Sequence, residues 1–349
     1  MNRLPRTPAA SRASLLVGGA VLASAAVAAW VERRARRALA RHPPEGRMLE
    51  VDGVRLHCVE RGAGSPVVLL HGNTVSHRDF EASGLIDRLA RHHRVIAFDR
   101  PGFGHSSRPR DRLWTPRAQG ALFKAALAQM GVERPVVLGH SMGSMVAMAI
   151  GLDDPAGVRG LVLIGGYYYP SLRVDALLTA PAALPVLGDV MRYTVTALSA
   201  RLLLERLVET MFMPNDVPAA FWDVLSREML VRPVQIRANA EDAAFMIGQA
   251  KASSERHGEL RVPVAIIAGT DDVVVDVEAH SVHLHEELQN SSLVVLPGAG
   301  HMVHYVAPEA VVAAVNTLQP DGMPMSASSD SIPATNEAPA ELQAIGLAV

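Results

Sequence analysis

Short runs of apolar, largely β-branched residues recur from residue 48 to residue 318 and alternate with longer segments of helical spacing. Apolar runs of about four to eight residues bounded by turn residues are typical of strands buried on both faces. Such runs predict strands at 66–72, 94–102, 134–141, 160–166, 262–269 and 291–298, and alternation of apolar and polar residues predicts another at 54–60. Helical segments such as 121–130 and 144–152 lie between them, so the pattern predicts an α/β fold with a doubly wound, mostly parallel sheet.

One long interval, residues 167–260, contains no convincing strand. Apolar residues recur in it at helical spacing, as at Leu204 and Val208. We therefore expect a helical cap over 167–260, inserted between a first core segment, 48–166, and a second core segment, 261–318.

The N-terminal leader, residues 1–47, contains nineteen consecutive uncharged residues at 13–31. A helix of that length measures roughly 28 Å, close to the hydrocarbon thickness of about 30 Å. We therefore predict a single-pass membrane anchor that contacts lipid through 13–31 and continues into a basic linker. A cleaved signal peptide, which would export the protein, is the alternative, because Ala23-Ser24-Ala25 resembles a cleavage site. More arginines follow the span than precede it, which favours a cytoplasmic body at a bacterial inner membrane.

Charge is unevenly distributed along the chain. The formal net charge is −2, yet residues 1–47 hold nine arginines and two glutamates, so the rest of the chain is acidic. An acidic body argues against binding nucleic acid through a general basic field, whereas the basic leader favours a membrane surface. The last segment, 319–349, is rich in Ser, Pro and Ala and is predicted to be disordered. The single cysteine, Cys58, excludes an internal disulfide.

The sequence Gly139-His140-Ser141-Met142-Gly143 has the pattern G-x-S-x-G. It lies between a predicted strand and a predicted helix, which is the setting of a nucleophile elbow. In such a turn the serine backbone is strained, and both glycines are needed because a side chain would collide across the turn. A Gly-rich turn with an ordinary serine is the alternative.

A nucleophilic serine requires a base and an acid that orients the base. The order typical of the elbow places both downstream, the acid first. Asp272 follows one of the last two predicted strands and His301 follows the other, and the carboxyl ends of parallel strands meet at one edge of a sheet. Asp271 and Asp276 are alternatives for the acid. His304, one helical turn beyond His301, is the alternative for the base.

From about residue 48 to residue 318 the chain resembles the α/β-hydrolase superfamily, of the type with a helical cap. The motifs that carry the resemblance are H-G-N at 71–73, D-R-P-G-F-G-H-S at 99–106, the elbow, G-x-x-D at 269–272 and G-x-G-H at 298–301. The resemblance implies an eight-stranded, mostly parallel sheet and no metal or organic cofactor. It also implies roles: Ser141 as nucleophile, His301 as general base, Asp272 as orienting acid, and the backbone N–H groups of Asn73 and Met142 as the oxyanion hole.

Other residues near these motifs are expected to be structural. His71, Gly72 and His140 are interpreted as buried supports of the elbow, and the D-R-P-G-F-G segment as a turn that shapes the floor of the site. A cluster of possible metal ligands follows the strand at 262–269 and comprises His280, His283, His285 and Glu287. Three of them share a helical face, but no fourth ligand has suitable spacing, which favours an exposed helix.

The expected reaction is hydrolysis of a carboxylic ester through an acyl-enzyme on Ser141. Alternatives that would use the same triad are a carbon–carbon bond hydrolase and a cofactor-free perhydrolase, and a non-catalytic, membrane-anchored binding protein is an alternative of another class. Carbon–carbon hydrolases typically carry an HGSGPG-like loop, whereas this loop reads HGNTVSH. Haloalkane dehalogenases and epoxide hydrolases are disfavoured because they use an aspartate where this chain has Ser141.

The cap sequence bears on the substrate. Segments 177–188 and 211–221 supply aliphatic, Met and aromatic residues with few charges. Such a lining would favour an apolar ester. The alternative is that these residues only pack the cap on itself.

Overall fold

A single mixed sheet of eight strands forms the centre of the protein. The computed structural model describes residues 9–171 and 180–319. The strands are β1 (Arg47–Val51), β2 (Val54–Arg61), β3 (Ser65–Leu70), β4 (His93–Phe98), β5 (Val136–His140), β6 (Gly160–Ile164), β7 (Val264–Gly269) and β8 (Ser291–Leu296). Their order is β1-β2-β4-β3-β5-β6-β7-β8, and only the β1–β2 and β2–β4 pairs are antiparallel. The predicted mostly parallel, eight-stranded α/β sheet is confirmed.

Helices precede, connect and follow these strands. Those before the cap are α1 (Ala9–Arg41), α2 (Arg78–Ala82), α3 (Leu85–Leu89), α4 (Pro116–Gln129) and α5 (Met142–Asp153). The cap region contributes α6 (Leu187–Met191), α7 (Val195–Phe212), α8 (Ala219–Val224), α9 (Arg227–Leu230) and α10 (Pro233–Ser254), and the C-terminal part adds α11 (His283–Glu287), α12 (Val303–Val306) and α13 (Pro308–Thr317). The described part of the predicted cap, 167–171 and 180–260, contains helices and no strand.

The central strands follow the predicted burial. Every residue of β5, β6 and β7 is buried, whereas the edge strand β8 is partly exposed. One apolar layer includes Leu122 and Val146 of α4 and α5, and the other includes Leu85 and Val311 of α3 and α13. The sheet therefore has helices on both faces.

The first strand, β1, was not predicted from the sequence. It pairs with β2 in register Val51–Val54 across a two-residue turn. Asp52 and Gly53 in this turn both have positive φ, 48° and 77°. An Asp-Gly pair between alternating residues is a hairpin signal, so the strand could have been found from the dipeptide.

The long helix α1 has two parts. Its side chains from Leu16 to Leu22 are exposed, whereas Val31 is buried in a cluster with Ala197 of α7 and Ile236 of α10. By length and composition the segment Leu16–Arg41 could cross a membrane, and a signal sequence near the N-terminus would meet the same criteria. The predicted disordered segment lies outside the described residues from position 320 onward, and part of the segment 177–188 does so as well.

Candidate active site

Ser141 occupies a sharp turn between the end of β5 and the start of α5. Its backbone has φ 53° and ψ −118°, a conformation that a non-glycine residue rarely adopts. A Cβ on Gly139 would overlap the carbonyl of Gly143, and a Cβ on Gly143 would overlap the carbonyl of Leu70. The two glycines are therefore required for the turn to pack against β3, and the turn has the shape of a nucleophile elbow.

Asp272 and His301 form a hydrogen-bonded pair at the same edge of the sheet. Asp272 follows β7, His301 follows β8, and His301 Nδ1 lies 2.8 Å from Asp272 Oδ2. The other carboxylate oxygen accepts hydrogen bonds from the N–H groups of Val274 and Val275 at 2.8 and 2.9 Å. Burial favours the neutral acid, but the charge and hydrogen bond of His301, together with the two N–H groups, lower the pKa of Asp272. The carboxylate is therefore ionised at neutral pH and fixes the imidazole through Nδ1, so Nε2 is the nitrogen left for proton transfer.

The two alternative acids have other partners. Asp271 is exposed and accepts a hydrogen bond from the Thr270 hydroxyl at 2.9 Å. Asp276 is exposed and accepts the N–H of Ala279 at 2.7 Å. Asp272 is the member of this set that contacts His301.

His304, the alternative base, is bound to a different carboxylate. Its Nε2 lies 2.9 Å from Asp79 Oδ2 of α2, and both side chains are fully buried. The Tyr305 hydroxyl donates to Asp79 Oδ1 at 3.0 Å. These contacts tie the segment that carries His301 to α2. Sequence reasoning missed Asp79, since an aspartate in the first turn of a short helix is usually an exposed residue.

The loop after β3 lies against Ser141. A Cβ on Gly72 would lie 3.1 Å from Ser141 Cβ. A side chain at position 72 would therefore displace the loop or Ser141. His71 is fully buried, and burial together with the charge of Arg100 lowers its pKa to about 3. Its neutral ring donates from Nδ1 to the Gly72 carbonyl and accepts the Arg100 N–H at Nε2. His71 thus acts as a support of the loop.

His140, which precedes Ser141, is also a buried support. Its Nε2 donates to the carbonyl of His301 at 3.2 Å. Burial, followed by the charges of His304 and His301, lowers its pKa well below the ordinary value, so the ring is neutral. The contact joins the elbow directly to the loop that carries His301.

Both predicted oxyanion donors are placed beside the elbow. Met142 is the first residue of α5, so its N–H has no acceptor within the helix and lies at the positive end of the helix dipole. Asn73 follows Gly72 in the loop after β3, and its side-chain oxygen accepts a hydrogen bond from Arg100 Nη2 at 2.6 Å. The side chain of Asn73 therefore anchors the loop.

Arg100, in the D-R-P-G-F-G segment, connects this loop to the cap. Its guanidinium donates to the carbonyls of His71 and Gly72 at 2.8 and 3.1 Å. It also forms a fully buried ion pair with Asp242 of α10, Nη1 to Oδ2 2.6 Å. From the same helix, Asn239 Oδ1 accepts the Thr74 N–H at 2.7 Å. The predicted floor of the site is thus also a buried ionic link between the loop and the cap, which sequence reasoning missed.

An apolar cluster lies next to the elbow. Met142 and Met145 of α5 pack with Tyr167, and with Met246 and Ala250 of α10. All five are buried between the core and the cap. The surroundings of Ser141 on this side are therefore apolar.

The possible metal ligands at 280–287, expected to lie on an exposed helix, contact the segment after β6, and the first of them, His280, is buried. His280 Nδ1 accepts the Tyr168 N–H at 3.1 Å, and the Tyr169 hydroxyl donates to Glu287 Oε2 at 2.5 Å. The ring of His283 stacks on Tyr169 at 4.1 Å. His285 is bonded to the Ser291 hydroxyl instead. These residues hold the start of the cap region on α11 and on the helical turn before it, Glu278–Val282.

Two other buried groups bring metal-ligating atoms together among the described residues. In one, Asp79 meets His140 and His304, and in the other Asp99 meets His57 and His77. Asp99 accepts from both histidine Nδ1 atoms at 2.7 Å. Because each aspartate is bonded to a histidine of another element, Asp79 to His304 and Asp99 to His57 of β2, both groups are explained as structural Asp–His contacts. A separate cavity of about 470 Å³ lies between the end of α1 and α8–α9, and its lining includes none of Ser141, Asp272 and His301.

The chain has relatives among known proteins. The family model described as an alpha/beta hydrolase fold matches residues 65–308. The 2-hydroxy-6-oxo-2,4-heptadienoate hydrolase of Pseudomonas putida is 27% identical over 278 residues, which cover 78% of this chain and 95% of that protein. Haloalkane dehalogenase 2 of Mycobacterium tuberculosis is 25% identical over 284 residues, 78% of this chain and 94% of that protein. A solved structure of a membrane phospholipase A, described as a bacterial virulence factor, superposes with a TM-score of 0.60 at 22% identity, over 89% of this chain and 96% of that one.

Proposed function

The chain belongs to the alpha/beta hydrolase family, and on this basis we propose that it is a serine hydrolase that cleaves carboxylic esters through an acyl-enzyme. The observation that carries the proposal is the Asp272–His301 hydrogen bond at the sheet edge where Ser141 occupies a strained elbow. A carboxylate, an imidazole and a serine in this order are the three groups that nucleophilic acyl transfer requires.

The proposed reaction has two halves, formation and hydrolysis of the acyl-enzyme, and the same catalytic groups act in both. Ser141 Oγ attacks the ester carbonyl while His301 Nε2 takes its proton, and Asp272 stabilises the imidazolium. The N–H groups of Met142 and Asn73 stabilise the tetrahedral oxyanion, a contribution of about 3 kcal/mol per donor. His301 then protonates the leaving alcohol. A water molecule, deprotonated by the same imidazole, hydrolyses the acyl-enzyme and releases the acid.

The proposed substrate is a lipophilic ester. The apolar cluster of Met142, Met145, Tyr167 and Met246 beside the elbow would receive an aliphatic chain. The exposed apolar part of α1 supports a retained anchor in a membrane, where such esters are concentrated. The membrane phospholipase A that shares this fold is named for a membrane location and a phospholipid substrate, which agrees with both proposals.

Covalent labelling tests the reaction class. A fluorophosphonate probe should label the wild type and fail to label Ser141→Ala. Ser144→Ala is the matched control, since Ser144 lies in the first turn of α5 and its hydroxyl donates to the backbone carbonyls of Gly139 and Ile164. This control should keep the label. Labelling of Ser141→Ala at the wild-type level, or no labelling of folded wild type, would contradict the proposal.

Chain-length dependence tests the substrate. We expect turnover of p-nitrophenyl esters to rise from short to medium acyl chains if the Met-rich cluster receives the chain. Met246→Asp should remove most of that preference while retaining activity on the acetate ester. Faster turnover of acetate than of all longer esters would contradict a lipophilic substrate.

Carbon–carbon hydrolysis is the second candidate, favoured by the 27% identity to the Pseudomonas putida dienoate hydrolase. The same Ser141, Asp272 and His301 would serve it. Parallel assays with 2-hydroxy-6-oxo-2,4-heptadienoate and with p-nitrophenyl esters distinguish the two. Turnover of the dienoate with no ester turnover would assign this second function.

The anchor requires its own test. The full chain should remain with membranes after carbonate extraction, and N-terminal sequencing should find the residues before Ala25 in the mature protein. A mature chain that begins after 23–25 and is released from membranes would establish the signal-peptide alternative.

A further inference from the structure

The outer surface of the cap carries an unusual number of exposed aliphatic side chains. Val186, Val195 and Leu202 are 76%, 67% and 83% exposed. Val195, Leu198 and Leu202 share one face of α7, and α6 contacts α7. Other exposed aliphatic residues of this surface are Leu184, Leu187, Val190 and Leu203. Isolated exposed apolar residues are normal, whereas a set on adjacent helices marks an interaction surface.

The same surface lacks unpaired charge. From residue 184 to residue 203 the charged residues are Asp189, Arg192 and Arg201. Asp189 and Arg192 are bonded to each other, Asp189 is also bonded to Arg110, and Arg201 is bonded to Glu228. Arg192 is almost completely buried. The aliphatic side chains are therefore not separated by the free charges that keep an aqueous surface hydrated.

The position of α1 defines where this surface lies relative to a bilayer. Val31, the last residue of the predicted span, packs on Ala197 of α7. Arg34 on the next turn of α1 pairs with Glu228 at 3.2 Å, and Arg201 lies 5.2 Å from the ring of Trp30. Helix α1 is thus fastened to α7 at the end of its apolar part. When 13–31 spans a bilayer, the N-terminal half of α7 is at the level of the headgroups.

We propose that α6 and the N-terminal half of α7, residues 184–203, dock on the bilayer that holds α1 and insert their aliphatic side chains at the boundary of headgroups and acyl chains. This inference rests on the proposed membrane anchor and deepens the proposed function. It presents the cap, with the Met-rich cluster on its inner side, to a substrate dissolved in the membrane.

Lipid quenching of a fluorophore tests the docking surface on the full chain. Leu202→Cys is labelled with an environment-sensitive fluorophore and reconstituted in phosphatidylcholine vesicles with or without doxyl-labelled phosphatidylcholine. The native Cys58 is fully buried, and burial raises its thiol pKa to about 11, so it leaves the introduced cysteine as the reactive one. Val21→Cys in the span is the positive control. Leu113→Cys, 65% exposed on a core loop, is the matched control.

We expect doxyl lipid to reduce the emission about twofold or more at positions 21 and 202, and to leave position 113 unchanged. Quenching at position 21 without quenching at 202 would overturn the proposal. The proposal would also be overturned if the emission at position 202 changed with the protein-to-lipid ratio and not with doxyl lipid. A second copy of the chain would then cover the surface. Absence of quenching at position 21 overturns both the anchor and the docking surface.

Hydrolysis is measured separately, so the two proposals fail in different ways. The same vesicles are assayed with a water-soluble p-nitrophenyl ester. No turnover with quenching at position 202 contradicts the ester hydrolase and supports the docking surface. Normal turnover without quenching at 202 contradicts only the docking surface.

Discussion

His301 and His304 lie three residues apart after β8, and each is hydrogen-bonded to an aspartate at nearly the same distance, 2.8 Å to Asp272 and 2.9 Å to Asp79. The pairs differ in what surrounds them. His301 uses Nδ1 for its aspartate, and Asp272 is held by two backbone N–H groups of its own loop. His304 uses Nε2, and its aspartate also accepts the hydroxyl of Tyr305.

The comparison shows that an Asp–His hydrogen bond alone does not identify a catalytic pair. What matters is the nitrogen that remains free and the element to which the aspartate belongs. Asp79 comes from α2 and joins that helix to α12, which carries His304, so its pair has the form of a tertiary contact. Asp272 and His301 both follow neighbouring parallel strands that end beside the elbow, and this placement can serve proton transfer.

The largest expected effect separates the pairs by activity. Asp272→Asn should lower kcat on a soluble ester by about 10⁴-fold, because the imidazole loses the partner that sets its tautomer. The free energy of unfolding should change far less, since the amide oxygen can still accept the N–H groups of Val274 and Val275. Asp271→Asn is the control and should stay within about twofold of wild type. A larger loss in Asp271→Asn than in Asp272→Asn would reassign the acid.

The second effect is on stability. Asp79→Ala should lower the free energy of unfolding by about 3–5 kcal/mol, because His304 and the Tyr305 hydroxyl lose their buried partner. The folded fraction should keep kcat within about tenfold of wild type. Urea denaturation and initial rates measure the two quantities. Glu309→Ala, which removes an exposed partner of Arg88, is the control and should cost less than about 1 kcal/mol. Loss of activity at unchanged stability would place Asp79 in the catalytic machinery.

A smaller effect tests the base. In His304→Gln the new amide can still donate to Asp79, so the free energy of unfolding should fall by about 1 kcal/mol and kcat should change by less than about tenfold. His301→Gln, compared under the same conditions, should lose activity by about 10⁴-fold or more. Equal losses in the two variants would end the distinction between the histidines.

The smallest expected effect is on the pH dependence of stability. Here the His57–Asp99 pair is compared with Asp272. Burial opposes protonation of His57, but its hydrogen bond to Asp99 and the charge of that carboxylate outweigh burial and raise its pKa. This stabilisation is complete below the unfolded-state pKa of about 6.5 and is lost as pH rises through the folded-state value. The contribution of Asp272, whose pKa is lowered, is present above about pH 4 and is lost on acidification.

Melting temperatures of wild type and His57→Gln from pH 5 to pH 9 would measure the His57 effect. The difference between the two should shrink as pH rises. A difference that grows with pH would contradict the raised pKa of His57.

The fold and the location of the site follow largely from local patterns. Buried strands have apolar runs whatever their partners, and Ser141, Asp272 and His301 each follow such a run directly. The hairpin strand β1 was missed although the Asp52-Gly53 pair signals it. Membership in the family is confirmed, while the chemical roles of these residues remain predictions.

The supporting network could not be predicted in the same way. Asp79 is 225 residues from His304, and Arg100 is 142 residues from Asp242. Charged residues in a sequence are mostly exposed, so nothing local distinguishes a buried pair before the chain is folded. The exposed aliphatic face of α7 could not be predicted for a different reason. Its residues have the same spacing as a helix stripe that faces a core.

The bond between Arg100 and Asp242 has a consequence for exchanging caps between relatives. The cap is not a separable cover, because α10 holds the loop that carries Asn73 through Asp242 and Asn239. A chimera that replaces the cap to change substrate range must keep these two side chains at their positions on the grafted helix. Without them the graft would leave the Arg100 guanidinium buried against the loop after β3 without its counter-ion. Diversification of the outer helices α6 and α7 is free of that restriction.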